Sequence, residues 1–138
     1  MNGVDTNILV YSVDKKELVK QPKADRLIRQ LIVSGGTVLP WQVLVESVRQ
    51  LRRWKDRGDL TEAEFDQQVQ QFRGLFPVMF PTIGALDHAI DLAKHYSLSH
   101  WDGMILGACK EAGVTTLYTE DMGAPTVIDG IQLVNPLI

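Results

Sequence analysis

Apolar positions along the chain alternate between short contiguous runs and the wider spacing of a helix face. Val4 to Val13 is rich in β-branched and aliphatic residues, which by propensity favours one long strand. Within it, Asp5-Thr6-Asn7 is turn and N-cap chemistry, so a short strand followed by a helix fits equally well. Pro22 suits a first helical turn, and Ala24, Leu27, Ile28, Leu31 and Ile32 follow at helical spacing until Gly35-Gly36. Thr37-Val38-Leu39 reads as a short buried strand. The spacing predicts a helix over Gln42 to Lys55, with Leu44, Val48 and Leu51 as its inner stripe, broken by Arg57-Gly58. Thr61-Glu62-Ala63-Glu64 has the form of a capping box and launches a helix through about Phe76. Val78-Met79-Phe80 predicts another short strand. Thr82 caps a helix to His95, and Ser99 caps the next, which ends at Gly113. Val114 to Tyr118 and Gln132 to Val134 predict the last strands. Helices alternating with short apolar strands predict an α/β sandwich with a largely parallel sheet.

Composition narrows this little. At 138 residues the chain reads as one domain, 1–138, with room for a hydrophobic core that needs no staples. A content of 45% hydrophobic and 22% charged residues is ordinary for a soluble protein. The single cysteine, Cys109, excludes an internal disulfide and a cysteine-rich zinc site, and suits a reducing cytoplasm. No apolar stretch approaches a membrane span, and the N-terminus lacks a signal pattern. A net charge of −3 argues against indiscriminate nucleic-acid binding but leaves room for a nuclease, because bound divalent ions offset part of an acidic cluster.

Four acids stand where apolar runs end or helices begin: Asp5, Glu46, Asp102 and Asp121. Each alone has a plain reading, as an Asx-turn residue, a solvent-facing helix charge, a helix-dipole partner and a loop residue respectively. Together they sit where an open α/β fold gathers its ligand-binding edge. Carboxylates from four segments meeting there make a hard-oxygen site suited to Mg²⁺ or Mn²⁺. Crowded carboxylates repel, so a bound cation offsets the stability they cost.

The segments around these acids resemble the PIN-domain ribonucleases, especially VapC-type toxins of bacterial toxin–antitoxin pairs. The matching stretches are Val4 to Tyr11, the Glu46 helix, Ser99 to Leu106, and Leu117 to Met122, with Gly130 to Pro136 similar to the family's final strand. They run nearly end to end and in order. The resemblance implies a PIN-like three-layer sandwich, with a mostly parallel central sheet flanked by helices. It also implies that Asp5 and Asp102 are the principal metal ligands, that Glu46 and Asp121 complete the site, and that Thr6, Asn7 and Thr119 supply supporting hydrogen bonds. The implied activity is endoribonucleolytic hydrolysis of RNA by in-line attack of water, with Mg²⁺ or Mn²⁺ as cofactor and no covalent enzyme intermediate. The implied partners are a cognate antitoxin and a second copy of the chain. Three details depart from the pattern: Asn2-Gly3 replaces a more apolar lead-in, Gly103 stands where alanine is common, and Gly123-Ala124-Pro125-Thr126 is an unusual loop.

Other residues are weighed against simpler roles. Arg49, Arg52, Arg53, Lys55 and Arg57 form the strongest basic cluster. At helical spacing Arg49 and Arg53 share a face with Glu46, so they either guide RNA phosphates or form a solvated face paired to acids such as Asp56. Extended neighbours point oppositely, so only one of Glu120 and Asp121 faces the metal; the resemblance implies that it is Asp121, and Glu120 reads as a solvated loop charge. Phe65, Val69, Phe72 and Phe76 read as core, although that helix and Trp41 to Trp54 are also places for a protein contact. His88, His95 and His100 lack helical zinc spacing, and Cys109 reads as buried packing. Two competing functions remain: a PIN-like RNA- or protein-binding module without turnover, and a metal-dependent phosphoesterase acting on DNA or small phosphate esters.

Overall fold

The computed structural model of the protein describes residues 1–138. Six strands form one sheet in the order β3-β2-β1-β4-β6-β5. These are β1 (Asn2–Val4), β2 (Thr37–Pro40), β3 (Val78–Met79), β4 (Thr116–Tyr118), β5 (Thr126–Ile128) and β6 (Ile131–Val134). All pairings are parallel except β5 with β6. The flanking helices are α1 (Thr6–Tyr11), α2 (Lys20–Ser34), α3 (Trp41–Asp56), α4 (Glu62–Leu75), α5 (Ile83–His95) and α6 (His100–Ala112). This is the expected α/β architecture with a mostly parallel central sheet. No helix is long and apolar enough to cross a membrane.

The two readings of Val4 to Val13 resolve in favour of a short strand and a helix. Asp5 ends β1 in extended conformation, and its side chain accepts from the Thr6 N–H, so one residue stops the strand and caps α1. The capping box at Thr61 and Glu64 forms in both directions, at 3.1 and 2.9 Å. Thr82 and Ser99 cap α5 and α6, and Gly113 closes α6 in the left-handed conformation that glycine accepts without penalty.

Several expectations shift. The buried stripe of α3 is Val43, Ser47 and Leu51, while Leu44 and Val48 are only half-buried on its flank. Ile32 is exposed at the outer face of α2. Phe80 lies beyond β3 and is 70% exposed. On α4 and at its C-cap, Phe72 and Phe76 are buried and Phe65 and Val69 pack against the core, so that stripe is interior rather than a contact face. The segment after Gly123 is not all loop, because Thr126–Ile128 forms β5. It pairs back on β6 through Asp129-Gly130, both at positive φ (48° and 80°), the backbone a two-residue hairpin requires. That Asp-Gly pair, between Val127-Ile128 and Ile131, was the sequence signal for the missing strand.

Packing is closest where α5 meets α6. A Cβ on Gly107 would overlap the Ala85 carbonyl and reach 3.0 Å from the Ala89 backbone nitrogen, so only glycine allows this approach. Gly103, one turn earlier, has no neighbour closer than 3.7 Å to such a Cβ. The two glycines therefore answer oppositely to alanine. Gly107→Ala loses roughly 1–3 kcal/mol to overpacking. Gly103→Ala gains up to about 1 kcal/mol from helix propensity. Urea unfolding of both variants checks the pair, and equal effects would mean that the helix approach is looser than described.

Candidate active site

The parallel pairing of β1 and β4 brings their carboxyl ends level, with Val4 opposite Tyr118. The Asp5 N–H continues the ladder by donating to the Tyr118 carbonyl at 2.9 Å. Asp5 and Thr119, the first residues past the two strands, therefore stand side by side at the sheet edge where an open α/β fold binds ligands. Thr119 donates its hydroxyl to Asp5 Oδ2 at 2.7 Å, while the Thr6 N–H reaches Asp5 Oδ1 at 2.7 Å. Both oxygens of a carboxyl only 3% exposed are thus held.

The remaining acids arrive from separate helices and loops. Glu46 projects from α3, accepting from the Thr6 hydroxyl at 2.9 Å and the Gln42 amide at 3.0 Å. The same Gln42 nitrogen donates to the Trp101 carbonyl at 3.0 Å, tying α3 to the start of α6. Asp102 occupies the first turn of α6, its N–H donating to the Ser99 hydroxyl at 3.1 Å. Asp121 follows β4; its N–H donates to Thr119 Oγ1 at 3.0 Å and its Oδ2 accepts from the Asn7 amide at 2.8 Å. Asp5, Glu46, Asp102 and Asp121 all line one open cleft of about 490 Å³. Arg49 and Arg53 line it too, and neither is ion-paired with Asp56 or any other acid.

Glu120 is not the solvated loop charge expected of it. Tyr11 donates to Glu120 Oε1 at 2.6 Å and Lys20 Nζ to Oε2 at 3.0 Å, with the Lys20 ammonium 4.8 Å from the Tyr11 ring centre. The Glu120 N–H also meets Asn7 Oδ1 at 3.4 Å. Glu120 thus clamps its loop to α1 and α2, leaving Asp121 to face the cleft. Gln42 had a sequence signal, since it lies one helical turn before Glu46. Tyr11 and Lys20 had none, because their link to Glu120 exists only through the tertiary fold.

Burial dominates the electrostatics. It raises the Asp5 carboxyl to about 6, against the hydrogen bonds from Thr119 and Thr6 and with help from the charges of Asp102 and Asp121. Asp102 is also raised, chiefly by burial, with Asp121 and Glu46 adding repulsion and the Ser99 hydrogen bond opposing it. Cys109 is fully buried with its thiol pushed up to about 12, a packing residue without nucleophilic character. His100 is exposed and stacks edge-on against Trp101.

The donor set fits a hard divalent cation. All four acids offer oxygen, and no cation neutralises Asp5 or Asp102 within the fold. No three acidic, histidine or cysteine side chains stand close enough to cage an ion. Mg²⁺ asks for less, since it keeps several waters and is held through one or two carboxylates. Asp5 and Asp102 are the candidates for that contact, with Glu46 and Asp121 reaching it directly or through water.

The raised Asp5 carboxyl carries a stability signature. Its folded value lies above its unfolded value of 3.8, so the native state binds the extra proton between pH 4 and about 6. Its contribution is therefore most favourable below pH 4 and is lost as pH rises through 6, about 3 kcal/mol in all. Asp5→Asn removes the titration. Without divalent ions the variant should gain stability relative to wild type between pH 4 and 7, and Mg²⁺ should narrow the gap. Chemical denaturation across that range measures it, and a stability difference independent of pH would rule out the buried, metal-free charge.

No curated protein matches the chain by sequence. Solved structures do match along nearly its whole length. A toxin–antitoxin complex from Klebsiella pneumoniae aligns at TM-score 0.72 and 16% identity, over 99% of this chain and 98% of that one. VapBC2 from Rickettsia felis, bound to a DNA fragment from its promoter, aligns at 0.73 and 14%, over 96% of each chain. Mycobacterium tuberculosis VapC20, a Sarcin-Ricin loop cleaving toxin, aligns at 0.66 and 16%, over 96% of this chain and 99% of that one. At such identities the likeness is one of fold. The PIN-domain family model matches residues 4–127, most of the sequence, and the chain belongs to the PIN-domain family.

Proposed function

We propose that this protein is a Mg²⁺-dependent endoribonuclease, with Mn²⁺ able to substitute, and the toxin of a type II toxin–antitoxin pair. The observation that carries this reading is the convergence of Asp5, Glu46, Asp102 and Asp121 on one open cleft that Arg49 and Arg53 also line. When bound, the divalent cation supplies neutralising charge for phosphate oxygens and acidifies a water for in-line attack. The chain's own residues do the rest. Arg49 and Arg53 offset the phosphate charge of an incoming strand and lay it across the acids. Thr119 and Thr6 hold Asp5 from both sides, Thr6 and Gln42 orient Glu46, and Asn7 orients Asp121. No cysteine or histidine lines the cleft, and the Thr6 and Tyr11 hydroxyls are hydrogen-bonded to Glu46 and Glu120, an arrangement that supports a water nucleophile.

An antitoxin partner is supported by the fold's likeness to chains from structures described as toxin–antitoxin complexes. Exposed Trp41, Val45, Ile83, Ile90 and Trp101 supply apolar surface of the kind protein contacts use, for that partner and for a second copy in a homodimer. One thiol and no disulfide suit action in the cytoplasm.

Two experiments test the reading. Purified protein free of antitoxin, incubated with total RNA, should give discrete fragments only with Mg²⁺ or Mn²⁺. Asp102→Asn should slow that cleavage on the order of a hundredfold or more. A folded, metal-binding protein that leaves RNA intact would return the family membership to a binding module or a phosphoesterase with another substrate. Charge reversal of Arg49 and Arg53 together should weaken single-stranded RNA binding. It should also flatten the slope of log K against log salt by roughly 1.4, the counterions of two phosphate contacts. An unchanged slope would remove both arginines from the RNA path.

A further inference from the structure

A second cleft, of about 320 Å³, adjoins the acidic one and shares Asp14 and Trp54 with it. Trp54 is half-buried near the end of α3 and stands as the partition between the two. Its indole N–H makes no hydrogen bond within the protein, and the far wall carries Gln67, Gln68 and Gln71 of α4, whose amides are equally free of internal partners. Leu60 and Val13 add apolar contact.

The charges along this cleft cancel. Lys15, Lys16 and Arg57 are matched by Asp14, Asp59 and Glu64. Lys16 and Arg57 are both held by Asp59, at 3.2 and 2.9 Å, and Glu64 is committed to capping α4. Such a cleft has little net charge to offer a phosphate, in contrast to the arginine-lined wall beside the acids. Apart from Lys15 and Asp14, which form no ion pair and offset one another, its free groups are an aromatic surface and amides that both donate and accept, the combination that stacks a nucleobase and reads its hydrogen-bonding edge.

We propose that this second cleft is a nucleobase subsite, in which Trp54 packs against one base of the substrate strand and Gln68 and Gln71 read its edge. The inference rests on the ribonuclease reading of the adjoining acids and assigns the residues that choose the cleavage site. A strand held by Arg49 and Arg53 passes Trp54 as it leaves the acids, so a flanking nucleotide is the one placed here. The bound class is single-stranded RNA with an unpaired base at that position, since a paired base has its edge occupied.

The test compares wild type with Gln68→Ala/Gln71→Ala, and with Gln70→Ala, an exposed residue of the same helix outside the cleft. Alanine is the strongest helix former, so these variants keep α4 intact. A random-sequence RNA pool with Mg²⁺ is digested and the fragment ends sequenced. In parallel, short RNAs from the same pool are selected for binding to Asp102→Asn proteins with and without the glutamine changes. The wild type should favour one base near the cut, and the double variant should lose about tenfold of that preference or more. Gln70→Ala should keep it. Trp54→Phe should retain more of the preference than Trp54→Ala, because a phenyl ring still stacks. Cleavage with a base preference unmoved by the double variant would overturn the subsite, leave the nuclease standing and hand the cleft to a polypeptide. Absent cleavage, with base-selective binding that the double variant abolishes, would overturn the nuclease and uphold the subsite.

Discussion

The arrangement depends on one buried carboxyl. Asp5 ends β1, caps α1, extends the β1–β4 ladder through its N–H, and accepts the hydroxyl of Thr119 just past β4. Placing a carboxylate there is costly, as its raised pKa records. Two hydrogen bonds only partly offset that cost, and no internal cation completes the compensation. The fold therefore holds a negative charge whose comfortable state requires something from outside, and the neighbouring acids deepen that requirement rather than relieve it. Around this point the other elements of the cleft are arranged by short polar links. Thr6 and Asn7, the two residues after Asp5, fasten Glu46 and Asp121 respectively, so the first turn of α1 is a hub for three of the four acids.

Whereas Glu46 lies inside α3 and was marked only by the apolar run before it and by the family resemblance, Asp5, Asp102 and Asp121 stood out in the sequence because each lies at or near a change of element. Thr6 and Asn7 were legible for the same reason, by adjacency. The clamp formed by Tyr11, Lys20 and Glu120 was not, since its members lie on α1, α2 and the loop after β4, and each looks locally like an ordinary surface residue. Helix caps at Thr61, Thr82 and Ser99 were readable because capping is a local interaction. Of the inner stripe expected for α3, Leu51 is buried as expected and the other two positions were misplaced by one. Hydrophobicity pointed to Leu44 and Val48, but the helix follows β2 without a loop, and its orientation on the sheet buries Val43 and even the hydroxyl of Ser47. Strand β5 was hidden by the glycine and proline that precede it, although its Asp-Gly turn was in plain view.

Gly107 shows how a tertiary requirement overrides local propensity. Glycine weakens a helix interior, yet here it permits backbone-to-backbone approach between α5 and α6. Asp102 sits on the first turn of that same α6, so the seating of the helix also sets where this acid stands relative to Asp5 across the cleft. Packing far from the cleft and the geometry of the carboxylates are in this sense one problem.

Charge distribution reconciles an acidic protein with the polyanionic substrate proposed for it. The net charge of −3 is an average over surfaces that do different work. Acids gather at the sheet edge, while Arg49, Arg52, Arg53, Lys55 and Arg57 concentrate positive charge on the last turns of α3 and just beyond. That end of α3 also suits cations through its dipole. Only Arg57 among these five spends its charge on an internal ion pair, so most of the basic segment stays available to a strand. Beyond Trp54 the surface turns neutral and amide-rich, and contact there depends on stacking and hydrogen-bonding edges instead of charge. On the proposed reading, a strand crossing from one surface to the other would first be held for being an anion and then sorted for the base it carries, a division of labour that a uniformly basic groove would lack.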